Sequence, residues 1–189
     1  MKKGLFSVLF INLFLAASVF AQVDVPVPEG EVQVIDDFEN GNYWIWAGSD
    51  WDRYGGHKSS MGCNLSKQHR TEGKYSMELL LEPVKPGASA NWFYDGSQDL
   101  SGGKYVVADF YNPGPITYVT CIVFQATDKW EWLQSEMFNI PPGQHTVVFD
   151  VEKLNEHFND VRRITISSFF FQECKEDSSL FVDNIRLIK

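Results

Sequence analysis

The side chains best suited to chemistry in this chain are aromatic and sit among short polar ones. Asn42–Tyr54 reads NYWIWAGSDWDRY, placing Trp44, Trp46, Trp51 and Tyr54 among Gly, Ser, Asp and Asn. Two more clusters follow, Asn91-Trp92-Phe93-Tyr94 and Asp128-Lys129-Trp130-Glu131-Trp132. Tryptophan and tyrosine rings offer large, stiff contact faces at little entropic cost. The axial C–H patch of a sugar ring stacks on such a face, and the sugar's hydroxyls then need amide, carboxylate or guanidinium partners at the rim. Asp50, Asp52, Arg53, Asn91, Asp95, Gln125 and Asp128 stand beside the clusters in that role. A sandwich core takes up tryptophan equally well, so any one of these rings fits a core as well as a ligand face.

Enzymatic signatures are not among the motifs. The chain has no G-x-S-x-G, H-E-x-x-H or P-loop. His57, His69, His145 and His157 are scattered beside charged or turn residues. Carboxylate pairs such as Asp36 with Asp37 and Glu131 with Glu136 could in principle hydrolyse a glycoside. They form no compact signature, and binding is expected over catalysis. Two acidic motifs at the ends are more telling: Asp36-Asp37-Phe38-Glu39 opens the patterned region and Val182-Asp183-Asn184 lies near its close. On neighbouring terminal strands they would suit a hard cation, since calcium takes carboxylate and carbonyl oxygens. Asp37, Glu39 and Asp183 are the candidate ligands of one structural calcium. Solvated carboxylates and a local bulge at Asp183-Asn184 are the alternative.

The elements that must position these groups are short strands. Glu31–Glu39, Lys74–Leu81, Ala90–Tyr94, Lys104–Tyr111, Thr117–Gln125, Trp130–Ser135, Gln144–Val151, Val161–Gln172 and Leu180–Ile188 alternate or are rich in β-branched residues. Turn chemistry separates most of them, as at Ser101-Gly102-Gly103, Asn112-Pro113-Gly114 and Pro141-Pro142-Gly143. Strands at this spacing predict an all-β sandwich or barrel; one helical turn fits at Glu152–Phe158. Alternation assigns faces. Val106, Ala108 and Phe110 form one apolar face, Val119, Cys121 and Val123 share another, and Trp130, Trp132 and Gln134 lie on one side.

Composition bounds the partners. Lys2 and Lys3 precede an apolar run closing on Val19-Phe20-Ala21, the pattern of a cleaved secretory signal peptide. The expected organisation is a signal peptide over 1–21, an extended proline-bearing leader over 22–30, and one domain over 31–189. That makes the protein secreted, periplasmic or displayed at the cell surface. The formal net charge is −9, and more negative still once both lysines leave. Nucleic-acid binding rests on a basic patch, so nucleic acid is excluded, and an anionic membrane or sulfated polymer is disfavoured. No later stretch is long and apolar enough to span a bilayer. Cys63, Cys121 and Cys174 are odd in number, so at least one stays unpaired. Export permits a bridge between Cys121 and Cys174, with buried free thiols the other reading.

The D-D-F-E-x-G opening, the I-P-P-G-x-x-T-V-x-F-D region that follows Trp132 and the closing F-V-D-N-I-R-L-I together resemble the β-jelly-roll carbohydrate-binding modules. Family 11, within the galactose-binding-like class, is the nearest group, and the resemblance runs from Val34 to Ile188. It implies a two-sheet antiparallel jelly roll, a groove for single β-glucan chains, structural calcium and no catalysis. It also implies that Glu39 and Asp183 lie near calcium. Phe169–Phe171 fall where the family carries a groove tyrosine, and Phe171 joins the candidate ligand contacts on that basis. The expected ligand set is therefore Trp44, Trp46, Trp51, Tyr54, Trp92, Tyr94, Asp128, Trp130, Trp132 and Phe171. The expected function is non-catalytic binding of a neutral, β-glucan-like polysaccharide. The alternative is a structural or adhesive envelope protein that turns the same sandwich towards a protein partner.

Overall fold

A computed structural model describes residues 24–41, 44–46 and 60–189, with 45, 46, 60, 61 and 155 by backbone alone. Twelve strands are named in it. They are β1 (Val32–Asp36), β2 (Trp44–Trp46), β3 (Ser60–Ser66), β4 (Ser76–Leu81), β5 (Ser89–Gln98) and β6 (Tyr105–Asn112). The second half adds β7 (Tyr118–Ala126), β8 (Glu131–Gln134), β9 (Phe138–Ile140), β10 (Gly143–Asp150), β11 (Val161–Phe169) and β12 (Ser178–Ile188). A 3-10 segment over Glu152–Asp160 occupies the predicted helical turn. Candidate residues Trp51 and Tyr54, the rim residues Asp50, Asp52 and Arg53, and the leader 1–21 lie outside the described residues.

The strands form two antiparallel sheets, the predicted two-sheet jelly-roll sandwich. One runs β10-β6-β12-β4-β3, with β1 against β12; the other runs β2-β5-β11-β7-β8, with β9 against β7. The core lies between them. The first sheet contributes Leu79, Leu81, Val106, Ala108, Phe110, Val147, Phe149, Leu180 and Val182; the second contributes Trp92, Tyr118, Ile122, Phe124, Ile164 and Ile166. The face of β6 that carries Val106, Ala108 and Phe110 turns to the core, but the aliphatic face of β7 does not. There the Tyr118, Ile122 and Phe124 face packs into the core, and Val119, Cys121 and Val123 look outward. Both faces of β7 are apolar, so alternation alone carries no direction.

Two polar devices fix the connections. Asn112 is fully buried; its Nδ2 donates to the carbonyls of Ile116 (2.7 Å) and Ile140 (2.8 Å), and its Oδ1 accepts from Gly114 N–H. It thereby closes the turn between β6 and β7 and ties in β9. Asp109, on the outer face of β6, accepts from Thr146 Oγ1 (2.7 Å), Thr71 Oγ1 (3.0 Å), Asn184 Nδ2 (3.1 Å) and Arg186 Nη1 (3.3 Å). A buried carboxylate is tolerated because its lone pairs are satisfied and one partner carries charge. Cys121 and Cys174 are free thiols, so the Cys121–Cys174 bridge does not form. Cys121 faces outward from β7, whereas Cys174 bridges to Val84 beyond β11.

Candidate functional site

The registers bring one row of polar and aromatic side chains across the outer face of the second sheet. Asp95 on β5 lies opposite Arg163 on β11, Arg163 opposite Gln125 on β7, and Gln125 opposite Trp132 on β8. Adjacent strands are about 4.8 Å apart, so the row spans roughly 14 Å. It exists because β5, β11, β7 and β8 each place a residue of the same parity at one level.

Arg163 holds the row together. Its Nε and Nη2 donate to the two oxygens of Asp95, at 2.5 and 2.8 Å. Such a fork-on-carboxylate pair fixes orientation as well as charge. The guanidinium carbon also lies 3.9 Å from the Phe93 ring centre and 5.3 Å from that of Trp130, within cation–π range. Trp130 reaches it from a tight turn: its N–H donates to the Thr127 carbonyl, and Thr127 and Trp130 both adopt left-handed backbone, with φ of 61° and 56°. That conformation is costly for side chains of this size, and such strain clusters at binding sites. Trp130 and Trp132 are nearly half exposed, at 46% and 45%. Among the described tryptophans with defined side chains, these are the ones that can meet a ligand.

Hydrogen-bonding capacity lies beside the rings. Gln125 Oε1 and Thr165 Oγ1 are buried side-chain oxygens without a partner in the protein, an unusual state for buried polar atoms. Two levels along the strands from the row, Ser167 Oγ donates to Asn91 Oδ1 at 2.7 Å. Asp128 is exposed at the Thr127–Trp130 turn.

Other expected contacts go elsewhere. Trp92 is fully buried in the core, its Nε1 donating to the Gly62 carbonyl at 3.0 Å. Trp44 is 2% exposed, donates from Nε1 to Asp36 Oδ2 at 2.8 Å, and packs near Phe38 and Tyr94. Tyr94 is half-buried against that same core. These three rings fill the sandwich because they have inward parity on β2 and β5. Trp46 is described by backbone alone. Phe171 is 69% exposed, but beyond the end of β11 and away from the row. Arg163 and Phe93 are the residues sequence reasoning missed; the signal was their parity with Asp95 and Gln125, legible only once strands were paired.

The acidic motifs converge on one loop. Asp183 Oδ2 accepts from Thr71 N–H (2.6 Å), Thr71 Oγ1 (3.1 Å) and Glu72 N–H (3.1 Å), while its Oδ1 accepts from Asn184 N–H. Glu39 Oε1 accepts from the N–H groups of Lys74 (2.6 Å) and Tyr75 (2.8 Å), which holds the Glu39 carboxyl below its usual range. Asp37 Oδ1 accepts from Glu39 N–H. Asp36 is shifted the other way, raised chiefly by burial. Among the described residues, no three acidic, histidine or cysteine side chains gather closely enough to hold a metal. As arranged, N–H and O–H donors engage both oxygens of Asp183 and Oε1 of Glu39.

No family model matches the sequence. No curated protein matches it either. Solved structures do match. One, from a study of promiscuous specificity in β-sandwich carbohydrate-binding modules, superposes with a TM-score of 0.63 at 12% identity over 82% of this chain, which spans 62% of that chain. A family 11 module from Clostridium thermocellum, in complex with a β-1,3-1,4-mixed-linked tetrasaccharide, gives 0.60 at 12% identity, covering 85% of this chain and 97% of its own. A non-crystalline-cellulose-specific family 28 module gives 0.61 at 19% identity, covering 87% and 100%. At these identities the likeness concerns fold: the chain shares the two-sheet β-jelly-roll sandwich of these modules.

Proposed function

We propose that the protein binds a neutral polysaccharide without cleaving it, through the outer face of the β2-β5-β11-β7-β8 sheet. The observation that carries this reading is the transverse row of Asp95, Arg163, Gln125 and Trp132, with Trp130 beside it. A hexose ring stacks on Trp132 or Trp130, and its hydroxyls meet Gln125, Asp95 and the guanidinium edge of Arg163. The acidic body favours an uncharged chain such as a β-linked glucan. The non-catalytic reading is supported by how the carboxylates are committed. Asp95 is clamped by Arg163, both oxygens of Asp109 and Asp183 are engaged by N–H and O–H donors, and Glu39 is held at Oε1, whereas a glycosidase acid needs a free carboxyl with a raised pKa. Asp36 does have a raised pKa, but its oxygens are engaged by Phe38 N–H and Trp44 Nε1. Export by the 1–21 leader belongs to the same proposal, and N-terminal sequencing of the mature protein tests it.

Affinity gels carrying β-glucan, xylan or galactan test the binding. Retention by one neutral polymer, nearly independent of salt, is expected. No retention by any neutral polymer would replace this reading with that of a structural protein using the sandwich for protein contacts.

A structural calcium at Asp37, Glu39 and Asp183 is a separate proposal, supported by the convergence of the first and last segments on one loop; as they stand the three carboxylates are not gathered around one point, so binding would have to draw them together. Binding would exchange the N–H contacts of Asp183 and Glu39 for oxygen–metal contacts. An ion held only by the native state at a hundredfold excess over Kd adds about 2.7 kcal/mol. Superimposable melts with calcium and with chelator would remove it.

A further inference from the structure

We propose a second binding site, on the loop between β3 and β4, for a sugar ring carrying a carboxylate or sulfate group. The site is independent of the aromatic row and belongs to the other sheet. Lys67, Arg70, Gly73, Lys74 and Tyr75 line an open pocket of about 240 Å³. Three cations thus converge within eight residues of a chain with 16 basic and 25 acidic residues. None of the three has a described carboxylate within 4.0 Å, unlike Arg162, Arg163 and Arg186, which are all paired. Glu39 is the carboxylate at the pocket's edge; the amides of Lys74 and Tyr75 hold its Oε1, and the Lys74 and Arg70 charges also act on it, so it offsets one of the three cations. The balance at the rim stays positive.

The loop is held as a preformed surface. Thr71 and Glu72 are pinned to Asp183, and Thr71 Oγ1 also reaches Asp109. Ser76 Oγ donates to the Gln68 carbonyl at 2.6 Å, and Arg70 Nη1 to the Lys67 carbonyl at 2.6 Å. The His69 ring stacks on Tyr111 with centroids 3.6 Å apart. A loop fixed at this many points loses little further freedom when it binds, which is how preorganisation raises affinity.

The chemistry of the pocket selects its occupant. Three cationic side chains around one opening call for an anion. Tyr75 is half-buried, and its ring faces Lys67 Nζ at 6.0 Å. A ring beside cations suits a saccharide that stacks while its charged substituent is neutralised. The acidic body still repels a polyanion. Screening confines that repulsion to about 8 Å at physiological salt, so a sparse or terminal anionic sugar reaches the pocket where a uniformly charged polymer does not.

The test is calorimetric titration with glucuronic acid, galactose 6-sulfate, neutral galactose and inorganic sulfate. The wild type is compared with Lys67→Gln/Arg70→Gln/Lys74→Gln and with a charge-matched control, Lys85→Gln/Lys153→Gln/Lys175→Gln. All six side chains are exposed, and melting temperatures confirm folding. The expected result is binding of at least one acidic sugar, about tenfold weaker in the pocket variant and unchanged in the control. Neutral galactose should not bind at the pocket, and retention on neutral glucan should survive in all three proteins. The proposal is overturned if no acidic sugar binds, if both variants lose binding equally, or if inorganic sulfate binds as tightly as galactose 6-sulfate. The last result would mean a free-anion site.

Discussion

The Arg163 guanidinium carbon sits 3.9 Å from the centre of the Phe93 ring, while the same group forks onto both oxygens of Asp95. One cation is thereby fixed by a ring on one side and a carboxylate at its end, which sets the level of the whole row. Arg163→Lys keeps the charge and removes the fork. The expected outcome is weaker glycan retention, by about 1.5–3 kcal/mol, with a smaller change in melting temperature. Unchanged retention would remove Arg163 from the site.

The tryptophans should divide into two groups. Trp132→Ala and Trp130→Ala are expected to cost about 1–3 kcal/mol of affinity with little change in melting. Trp92→Ala leaves a cavity and orphans the Gly62 carbonyl, and about 3–5 kcal/mol of stability should go with it. Trp44→Ala should behave like Trp92→Ala. Scoring each variant for both affinity and melting separates the groups, and a Trp132→Ala protein that binds normally counts against the aromatic row.

That division shows what could be read in advance. The sandwich was legible because turn residues punctuate strands of alternating pattern, and all nine of those segments sit where the two sheets need them. Short β2 and β9 and edge strand β3 carried too little pattern to be seen. The aromatic clusters were visible, but which rings bind was not. Trp92 and Trp132 lie in similar local sequence, and their fates depend on strand parity relative to a core that only pairing defines. Arg163 escaped notice for the same reason: its partners Asp95 and Gln125 are distant in sequence and adjacent through register.

Glu39 gives stability a defined pH dependence. Its carboxyl titrates below its ordinary value of 4.5, chiefly because the Lys74 and Tyr75 amides donate to it. The ionised form is therefore favoured by folding. Its contribution is fully present above 4.5 and is lost as pH falls through the folded value beneath that. In denaturant melts across pH 3 to 7, the stability gap between wild type and Glu39→Gln should narrow on the acid side. A gap constant across the range would show that the amide contacts do not discriminate between the charged and neutral forms.

Thiol chemistry should report burial. Burial pushes the Cys121 thiol up to about 12, and Cys174 is also buried. The thiolate is the reactive form. A disulfide reagent applied to the native protein near pH 8 should leave Cys121 and Cys174 unmodified, and all three cysteines should react after denaturation. Rapid native modification of Cys121, located by peptide mapping, would contradict its placement.

β12 pairs with β6, β4 and β1, yet it is the last strand in sequence order. The centre of one sheet is therefore synthesised after its flanks. Until Ser178–Ile188 is available, β1, β4 and β6 each carry an open row of amide and carbonyl groups, and Asp183 cannot pin the β3–β4 loop. Open edges of that kind invite pairing with other chains, and contacts this far apart in sequence form slowly. Nascent or truncated chains lacking these eleven residues should be the aggregation-prone species, with the completed strand acting as a late-arriving wedge that closes the sheet.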